Sequence, residues 1–246
     1  MDTNKEWFAD WFDSPYYHIL YKNRDYTEAE LFLNNVISFL NMPSGSSVID
    51  LACGKGRHSV FLNKAGFEVV GVDLSANSIQ YAKQFENQNL HFDVADLRTF
   101  KTNQLFDYGF NLFTSFAYFK SDQENQQVLN SFNACLKPDG VLLLDFFNAE
   151  KIKKMQSYSE TKIIDDITFH LDKIIDDKKV TKRIEFNAEG KEYYYQEEVQ
   201  LLTLPDFETL FAQTGFDILN VFGNYNLEQY QAETSDRLIF VAQKNS

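Results

Sequence analysis

The stretch that decides the fold is residues 48–73, which read VIDLACGKGRHSVFLNKAGFEVVGVD. Its apolar start predicts a short strand, and Gly54 and Gly56 keep the following turn tight because no Cβ is in the way. A helix comes next, ends at Gly66 and leads into a second strand that closes on Asp73. Asp73 lies nineteen residues after Gly54, about the separation at which an acid meets ribose hydroxyls in nucleotide folds. The stretch therefore predicts a βαβ unit that holds an adenosine-type cofactor.

The spacing of the glycines favours one cofactor over another. A dinucleotide fingerprint reads G-x-G-x-x-G, and its third glycine lets helix and strand pack closely over a pyrophosphate. The loop over 50–56 reads DLACGKG instead, and Ser59 stands three residues after Gly56. This run resembles motif I of class I S-adenosylmethionine-dependent methyltransferases, an acid followed by G-x-G-x-G. Ala52 replaces the first glycine of that motif, and we expect a negative φ there because alanine carries a Cβ.

The chain after this unit continues the same fold. Apolar spacing and turn signals predict alternating helices and strands, and the segment LKPDGVLLLDFFN at 136–148 is similar to another part of the same methyltransferase family. The resemblance implies an α/β fold, with a Rossmann-like, doubly wound, mostly parallel seven-stranded sheet and an inserted antiparallel β meander. Helices are expected over 76–86, 122–136 and 205–214, and strands over 90–94, 106–113, 141–147, 217–222 and 237–243.

Residues 151–204 depart from a minimal methyltransferase. Alternating polar and apolar residues predict a meander of three strands over 161–176, 179–187 and 191–203. The runs LACGKGRH and NLFTSFAYF are similar to the aminosugar N-methyltransferases, in which an insert at this place roofs the substrate pocket or supports subunit contacts. The predicted units are an N-terminal helical aromatic lid over 1–40, an S-adenosylmethionine-binding domain over 41–150 and 205–246, and the inserted subdomain over 151–204.

The same resemblance implies which residues meet the cofactor. Asp73 would accept the ribose hydroxyls, and Asp96 would accept the adenine amine. Leu74 and Leu97 would cover the faces of the adenine ring, and Phe113 would contribute backbone near the amino group of the methionyl portion. The full set of implied cofactor-binding residues is Tyr21, Arg24, Asp50, Ala52, Cys53, Gly54, Arg57, Asp73, Leu74, Asp96, Leu97 and Phe113.

The N-terminal segment is crowded with aromatic residues, and two interpretations of it stay open. An amphipathic helix that packs its aromatic face on the domain accounts for the tryptophans and phenylalanines of residues 7–12. Alternatively, Tyr21 and Arg24 belong to a lid over the methionine end of the cofactor, where a guanidinium would pair with the carboxylate through two hydrogen bonds. An ordinary ion pair of Arg24 with Asp25 or Glu28 competes with that role.

The sequence assigns no general base and no metal site. An amine acceptor must lose a proton before it attacks, and histidine is the usual group for this step near neutral pH. The two cysteines, Cys53 and Cys135, lack the spacing of metal ligands and are interpreted as small buried side chains. The candidate bases are His18, His58, His91, His170, Tyr118 and Glu197.

Composition limits the partners. The 246 residues carry a net charge of −13, and no stretch supplies the field of lysine and arginine that a nucleic acid would require. No apolar run approaches the length that spans a bilayer. The acidic, aromatic start of the chain resembles neither a secretory signal nor a transit peptide, so a cytoplasmic protein without a membrane partner is expected.

The sequence therefore predicts an S-adenosylmethionine-dependent methyltransferase that methylates a small-molecule acceptor at nitrogen or oxygen. One alternative is a methyltransferase that acts on protein or RNA. Another is a nicotinamide dehydrogenase, which would share the βαβ unit and the acid at its end, and a third is a nucleotide-binding protein without catalysis. A homodimer is compatible with the insert.

Overall fold

A seven-stranded, mostly parallel sheet carries the fold in the computed structural model, which describes residues 7–22 and 26–245. The strands of these residues are β1 (Ser47–Leu51), β2 (Glu68–Asp73), β3 (Leu90–Val94), β4 (Phe106–Asn111), β5 (Leu136–Phe147), β6 (Tyr158–Ile164), β7 (Ile167–Ile175), β8 (Lys179–Ala188), β9 (Lys191–Gln200), β10 (Phe216–Phe222) and β11 (Arg237–Lys244). The helices are α1 (Trp7–Phe12), α2 (Pro15–Leu20), α3 (Tyr26–Phe39), α4 (Arg57–Lys64), α5 (Ala76–Ala82), α6 (Asp122–Cys135), α7 (Ala149–Lys153) and α8 (Leu204–Gln213).

The order of the large sheet is β10-β11-β5-β4-β1-β2-β3. β11 pairs antiparallel with both β5 and β10, and the other neighbours are parallel. This arrangement confirms the predicted fold class. Because the chain leaves β1 toward β2 on one side and β4 occupies the other, a crevice opens at the carboxyl ends of these strands, where ligands bind in open α/β sheets.

Successive residues of β1 face two separate apolar cores, one on each face of the sheet. Ile49 belongs to a cluster that includes Phe132 of α6, whereas Val48 belongs to a cluster with Phe32 of α3 and Leu62 of α4. All five residues of β1 are buried, as expected for a parallel strand that helices cover on both faces. The packing fixes the end of β1, where the glycine loop begins.

The insert forms its own antiparallel sheet of four strands, in the order β6-β7-β8-β9. The single strand expected over 161–176 is wrong, because the chain reverses at Asp165 and Asp166 and makes a hairpin of β6 and β7. Both residues have positive φ, 48° and 62°, which suits a two-residue turn between twisted strands. Aspartate tolerates this conformation better than most residues, so the two aspartates permit the turn.

Several predicted elements end earlier than expected, and the strand expected over 191–203 stops at Gln200. The helix that starts at Ala76 ends at Ala82, and a short 3-10 helix follows over Lys83–Phe85. The fourth strand ends at Asn111, because Phe113 and Thr114 have φ of 56° and 62° and cannot continue it. This sharp turn leaves the residues after β4 facing the crevice rather than extending the sheet.

The first two helices pack on the meander. Trp11 and Leu20 are buried in one apolar cluster with Phe169, Ile184 and Phe186 of the insert. α3, by contrast, covers the seven-stranded sheet. α1 and α2 therefore lie between the two sheets, near the carboxyl ends of the parallel strands. No helix in the described ranges has both the length and the apolar character needed to cross a bilayer.

Candidate active site

The glycine loop after β1 is tied to the end of β2. The N–H of Gly54 donates to Oδ2 of Asp73 at 2.8 Å, and the N–H of Ser75 donates to Oδ1 at 2.8 Å. A carboxylate offers about four acceptor positions, so acceptor capacity remains for hydroxyl groups of a ligand. Burial raises the pKa of Asp73, and backbone hydrogen bonds from Ser75, Gly54 and Leu74 oppose that rise. Asp73 is thus held in place with acceptor capacity to spare.

The two glycines of the loop are required for different reasons. Gly56 has a φ of 78°, and a Cβ there would lie 2.6 Å from the ring of Phe92. Gly54 has a φ of 56°, and no atom lies within 4 Å of the position that its Cβ would take. Gly56 is therefore needed for internal packing, whereas the space beside Gly54 is open to a ligand.

The expected negative φ at Ala52 is wrong, since its φ is 67°. The N–H groups of Ala52 and Cys53 both donate to the carbonyl oxygen of Val72, at 2.8 and 3.0 Å. These two bonds pull the loop over the end of β2 and hold Ala52 in the left-handed region, at a cost of about 1–2 kcal/mol for a residue with a Cβ. The loop backbone here has a conformation that favours glycine, and alanine adopts it under strain.

Asp50 lies behind the wall of the crevice rather than on it. Its side chain is buried and accepts a hydrogen bond of 2.6 Å from the Ser59 hydroxyl at the start of α4. Burial raises the pKa of Asp50 to about 6, the bond from Ser59 opposes the rise, and the nearby charge of Asp73 adds to it. This bond ties the end of β1 to the first turn of α4, and Asp50 does not line the cavity.

Cys53 lies on the crevice but is almost wholly buried. A Cβ on Gly71 would lie 2.9 Å from its sulfur, so the absence of a side chain on β2 makes room for the thiol. Burial raises the pKa of Cys53, and the charges of Asp50 and Asp73 act in the same direction. Because the thiolate is the reactive form, this thiol contributes surface and no chemistry.

Asp96 is fixed by Arg98 at the end of the crevice that adenine is expected to occupy. The guanidinium reaches both oxygens of Asp96, from Nε at 3.0 Å and from the terminal nitrogen at 2.6 Å. It also bonds Glu124 of α6 at 3.1 Å and lies 5.5 Å from the ring centre of Phe8 and 5.3 Å from that of Phe119. Burial acts to raise the pKa of Asp96, but the bonds and charge of Arg98 outweigh it, and the pKa lies below its ordinary value.

A buried ion pair holds the turn after β4. Oδ2 of Asp145 accepts a hydrogen bond from the N–H of Phe113 at 2.8 Å, and Oδ1 pairs with Arg237 at 2.7 Å. Arg237 also donates to the hydroxyl of Thr114 at 3.0 Å. The sequence analysis missed both charged residues. The signal was present, since Asp145 is the one acid within the apolar run VLLLDFF at 141–147.

These elements enclose a cavity of about 590 Å³. The glycine loop forms one wall, the turn after β4 another, and α1 and α2 form the roof. Asp50 does not line this cavity, and Arg24 lies outside the described residues. The predicted cofactor residues that do line it are Tyr21, Ala52, Cys53, Gly54, Arg57, Asp73, Leu74, Asp96, Leu97 and Phe113.

The donor set of this cavity fits an adenosyl cofactor. A carboxylate with spare acceptor positions stands beside open space at Gly54, and Leu74 and Leu97, which follow Asp73 and Asp96 in sequence, also line the cavity. A ribose, an apolar ring and an exocyclic amine would find matching groups among these residues. In the described residues, no group of three or more histidines, cysteines or acids is placed to hold a metal ion.

Two of the four histidines lie at the cavity. Nε2 of His18 is 3.2 Å from the Ser78 hydroxyl, and Nε2 of His58 is 2.9 Å from the Arg57 guanidinium and therefore accepts from it. His91 and His170 are exposed on their strands. Tyr118 also lines the cavity, and its hydroxyl donates to the carbonyl oxygen of Thr114 at 2.5 Å. Glu197, the remaining candidate base, does not line the cavity.

Comparison with known proteins identifies what the chain is similar to. A family model described as a methyltransferase domain matches residues 43–200. A glycine/sarcosine N-methyltransferase of Aphanothece halophytica is 28% identical over 232 residues, which cover 90% of this chain and 83% of the relative.

Solved structures agree on the fold. An S-adenosylmethionine-dependent methyltransferase from Clostridium acetobutylicum has a TM-score of 0.79 at 20% identity, covering 94% of this chain and 96% of that chain. CalS10, an amino pentose methyltransferase from Micromonospora echinaspora solved with S-adenosylmethionine bound, has a TM-score of 0.70 at 19% identity, covering 94% and 98%.

Proposed function

Because this chain belongs to the S-adenosylmethionine-dependent methyltransferase family, we propose that it methylates a small-molecule acceptor at a nitrogen or oxygen atom in the cytoplasm. The observation that carries the proposal is the roofed cavity. Its volume of about 590 Å³ is that of a small-molecule site, and aromatic residues of α1 and α2 form part of its lining.

Charge and the relatives support the same acceptor class. A net charge of −13 opposes the approach of polyanions, which argues against RNA and DNA. The glycine/sarcosine N-methyltransferase and the amino pentose methyltransferase are named for small amines. A nitrogen nucleophile on a small molecule is therefore the first acceptor to try.

The residues of the cavity contribute alignment and exclusion of water. The cofactor supplies an electrophilic methyl group on a sulfonium, and transfer is an in-line displacement that needs a nucleophile close to that carbon. Asp73 would hold the ribose and Asp96 the adenine amine. The N–H of Phe113 is occupied by Asp145, so a cofactor amino group would find carbonyl oxygens at this turn. The aromatic roof keeps water from the reacting atoms.

Calorimetry followed by an acceptor screen tests the proposal. S-adenosylmethionine and S-adenosylhomocysteine should bind with micromolar dissociation constants, and NAD should not bind. Methyl transfer from labelled S-adenosylmethionine is then measured with glycine, sarcosine and an amino sugar, and in parallel with bulk RNA and with protein. We expect label in the small-molecule fraction. Label in RNA or protein alone would contradict the proposed acceptor class, while leaving the cofactor assignment intact.

A further inference from the structure

Glu197 of the meander is bonded to both N-terminal helices. Its Oε1 accepts a hydrogen bond of 2.6 Å from the indole Nε1 of Trp11. The hydroxyl of Tyr21, at the end of α2, lies 2.7 Å from each oxygen of the same carboxylate. Nζ of Lys182, directly opposite Glu197 in the β8–β9 ladder, donates to the Tyr21 oxygen at 2.8 Å. One carboxylate therefore receives donors from two points of the roof.

The surroundings make this carboxylate hard to replace. Trp11 is fully buried, and its ring centre lies 4.6 Å from that of Tyr195, which shares a face of β9 with Glu197. An indole N–H can only donate and a carboxylate can only accept. Without the carboxylate, the buried N–H of Trp11 would lose its acceptor, and such an unpaired donor is costly. The bond to Glu197 therefore fixes the position of α1 in the roof.

Tyr21 connects the meander to the cavity. Its ring lines the cavity, while its hydroxyl points away toward the meander and is held between Glu197 and Lys182. The Lys182 ammonium also lies 4.7 Å from the centre of the Tyr21 ring. The position of this part of the wall therefore depends on residues that do not line the cavity themselves.

We propose that Glu197 is a positioning residue of the active site, which holds Tyr21 and with it the roof over the cofactor. The inference rests on the proposed site, and it gives the inserted meander a role in retaining the cofactor. The role of Glu197 can be measured through binding of S-adenosylhomocysteine, without an identified acceptor.

A double-mutant cycle tests it through the affinity for S-adenosylhomocysteine, measured by calorimetry. Glu197→Gln presents an amide to the indole and phenol donors and should weaken binding about tenfold, the loss expected for one such hydrogen bond. Tyr21→Phe should weaken it similarly, and the double variant should lose less affinity than the sum of the two single losses. Glu198→Gln is the matched control, because Glu198 faces the other side of β9 and pairs with Lys179, and it should bind as the unaltered chain does.

Fluorescence supplies a readout that is independent of affinity. Trp7 and Trp11 are the two tryptophans of the chain, so a Trp7→Phe background leaves Trp11 as the sole reporter. Its emission should move to longer wavelength in Glu197→Gln and stay unchanged in Glu198→Gln, with thermal midpoints confirming that each variant is folded.

Unchanged affinity in Glu197→Gln would overturn the proposal whatever the emission shows, and so would additive losses in the double variant. Failure of the unaltered chain to bind S-adenosylhomocysteine would overturn the cofactor site together with the role of Glu197. Normal binding by Glu197→Gln would overturn only the latter.

Discussion

The N–H of Gly54 donates a 2.8 Å hydrogen bond to Oδ2 of Asp73, which makes the loop after β1 and the end of β2 a single surface. The side of Gly54 on which a side chain would stand is open, and the remaining acceptor positions of the carboxylate are available to a ligand. A change at Asp73 should therefore disturb the loop as well as cofactor binding.

Asp73→Asn removes a charged acceptor from the ribose position. Hydrogen bonds to charged groups contribute about 1.5–3 kcal/mol, so affinity for S-adenosylhomocysteine should fall about 10- to 100-fold by calorimetry. Asp93→Asn is the control, because its side chain is 73% exposed at the end of β3 and is paired only loosely with Lys83. Equal affinities of the two variants would show that Asp73 does not meet the ribose.

Gly56→Ala should destabilise the fold more than Gly190→Ala does. Both glycines have similar positive φ, 78° and 73°, so both variants incur about 1–2 kcal/mol of backbone strain. Only at Gly56 would the new Cβ meet the Phe92 ring, at 2.6 Å, whereas no atom lies within 4 Å at Gly190. Overpacking adds about 1–3 kcal/mol. Urea unfolding measures the difference, and equal losses would refute the clash.

Asp50 should make the unfolding free energy depend on pH between 7 and 5. Its pKa in the folded chain is about 6, above the ordinary value of 3.8, so the folded state binds the proton more tightly. The stability that protonation provides is complete below the unfolded pKa and disappears as pH rises through 6. Going from pH 7 to pH 5, the unaltered chain should gain about 1 kcal/mol relative to Asp50→Asn. Parallel pH profiles in urea unfolding would rule this out.

Arg237→Leu should be strongly destabilising, because it leaves Asp145 buried without its charged partner. Burial already raises the pKa of Asp145, and the Arg237 charge is the largest effect that opposes the rise. Breaking a buried pair from one side costs about 3–5 kcal/mol. Lys151→Leu provides the comparison, because its pair with Asp236 is exposed and such pairs contribute about 0–1 kcal/mol. A loss of similar size in both variants would mean that the Asp145 pair is not effectively buried.

The sequence was informative where function depends on residues close together along the chain. The loop, its helix and Asp73 form one βαβ unit, and the resemblance of this unit to motif I of the methyltransferases implied the cofactor. Ala52 shows the limit of this reasoning, because its backbone conformation is imposed by hydrogen bonds to Val72 on the neighbouring strand. The hairpin at Asp165 and Asp166 was missed for a different reason. Two aspartates without a glycine are a weaker turn signal than a glycine-containing pair.

By itself the sequence predicted the βαβ unit and the order of most elements, because hydrophobic periodicity and glycine spacing are local properties of the chain. Its resemblance to a methyltransferase family implied the class of fold. Only the tertiary structure decided which distant residues support the site. Asp145 meets Arg237 across two neighbouring strands, and Glu197 meets Trp11 and Tyr21 between the insert and the N-terminal helices. Each contact joins segments that are far apart along the chain, so local sequence patterns do not predict it. Packing brings these polar groups together, and buried polar groups are hydrogen-bonded in folded proteins.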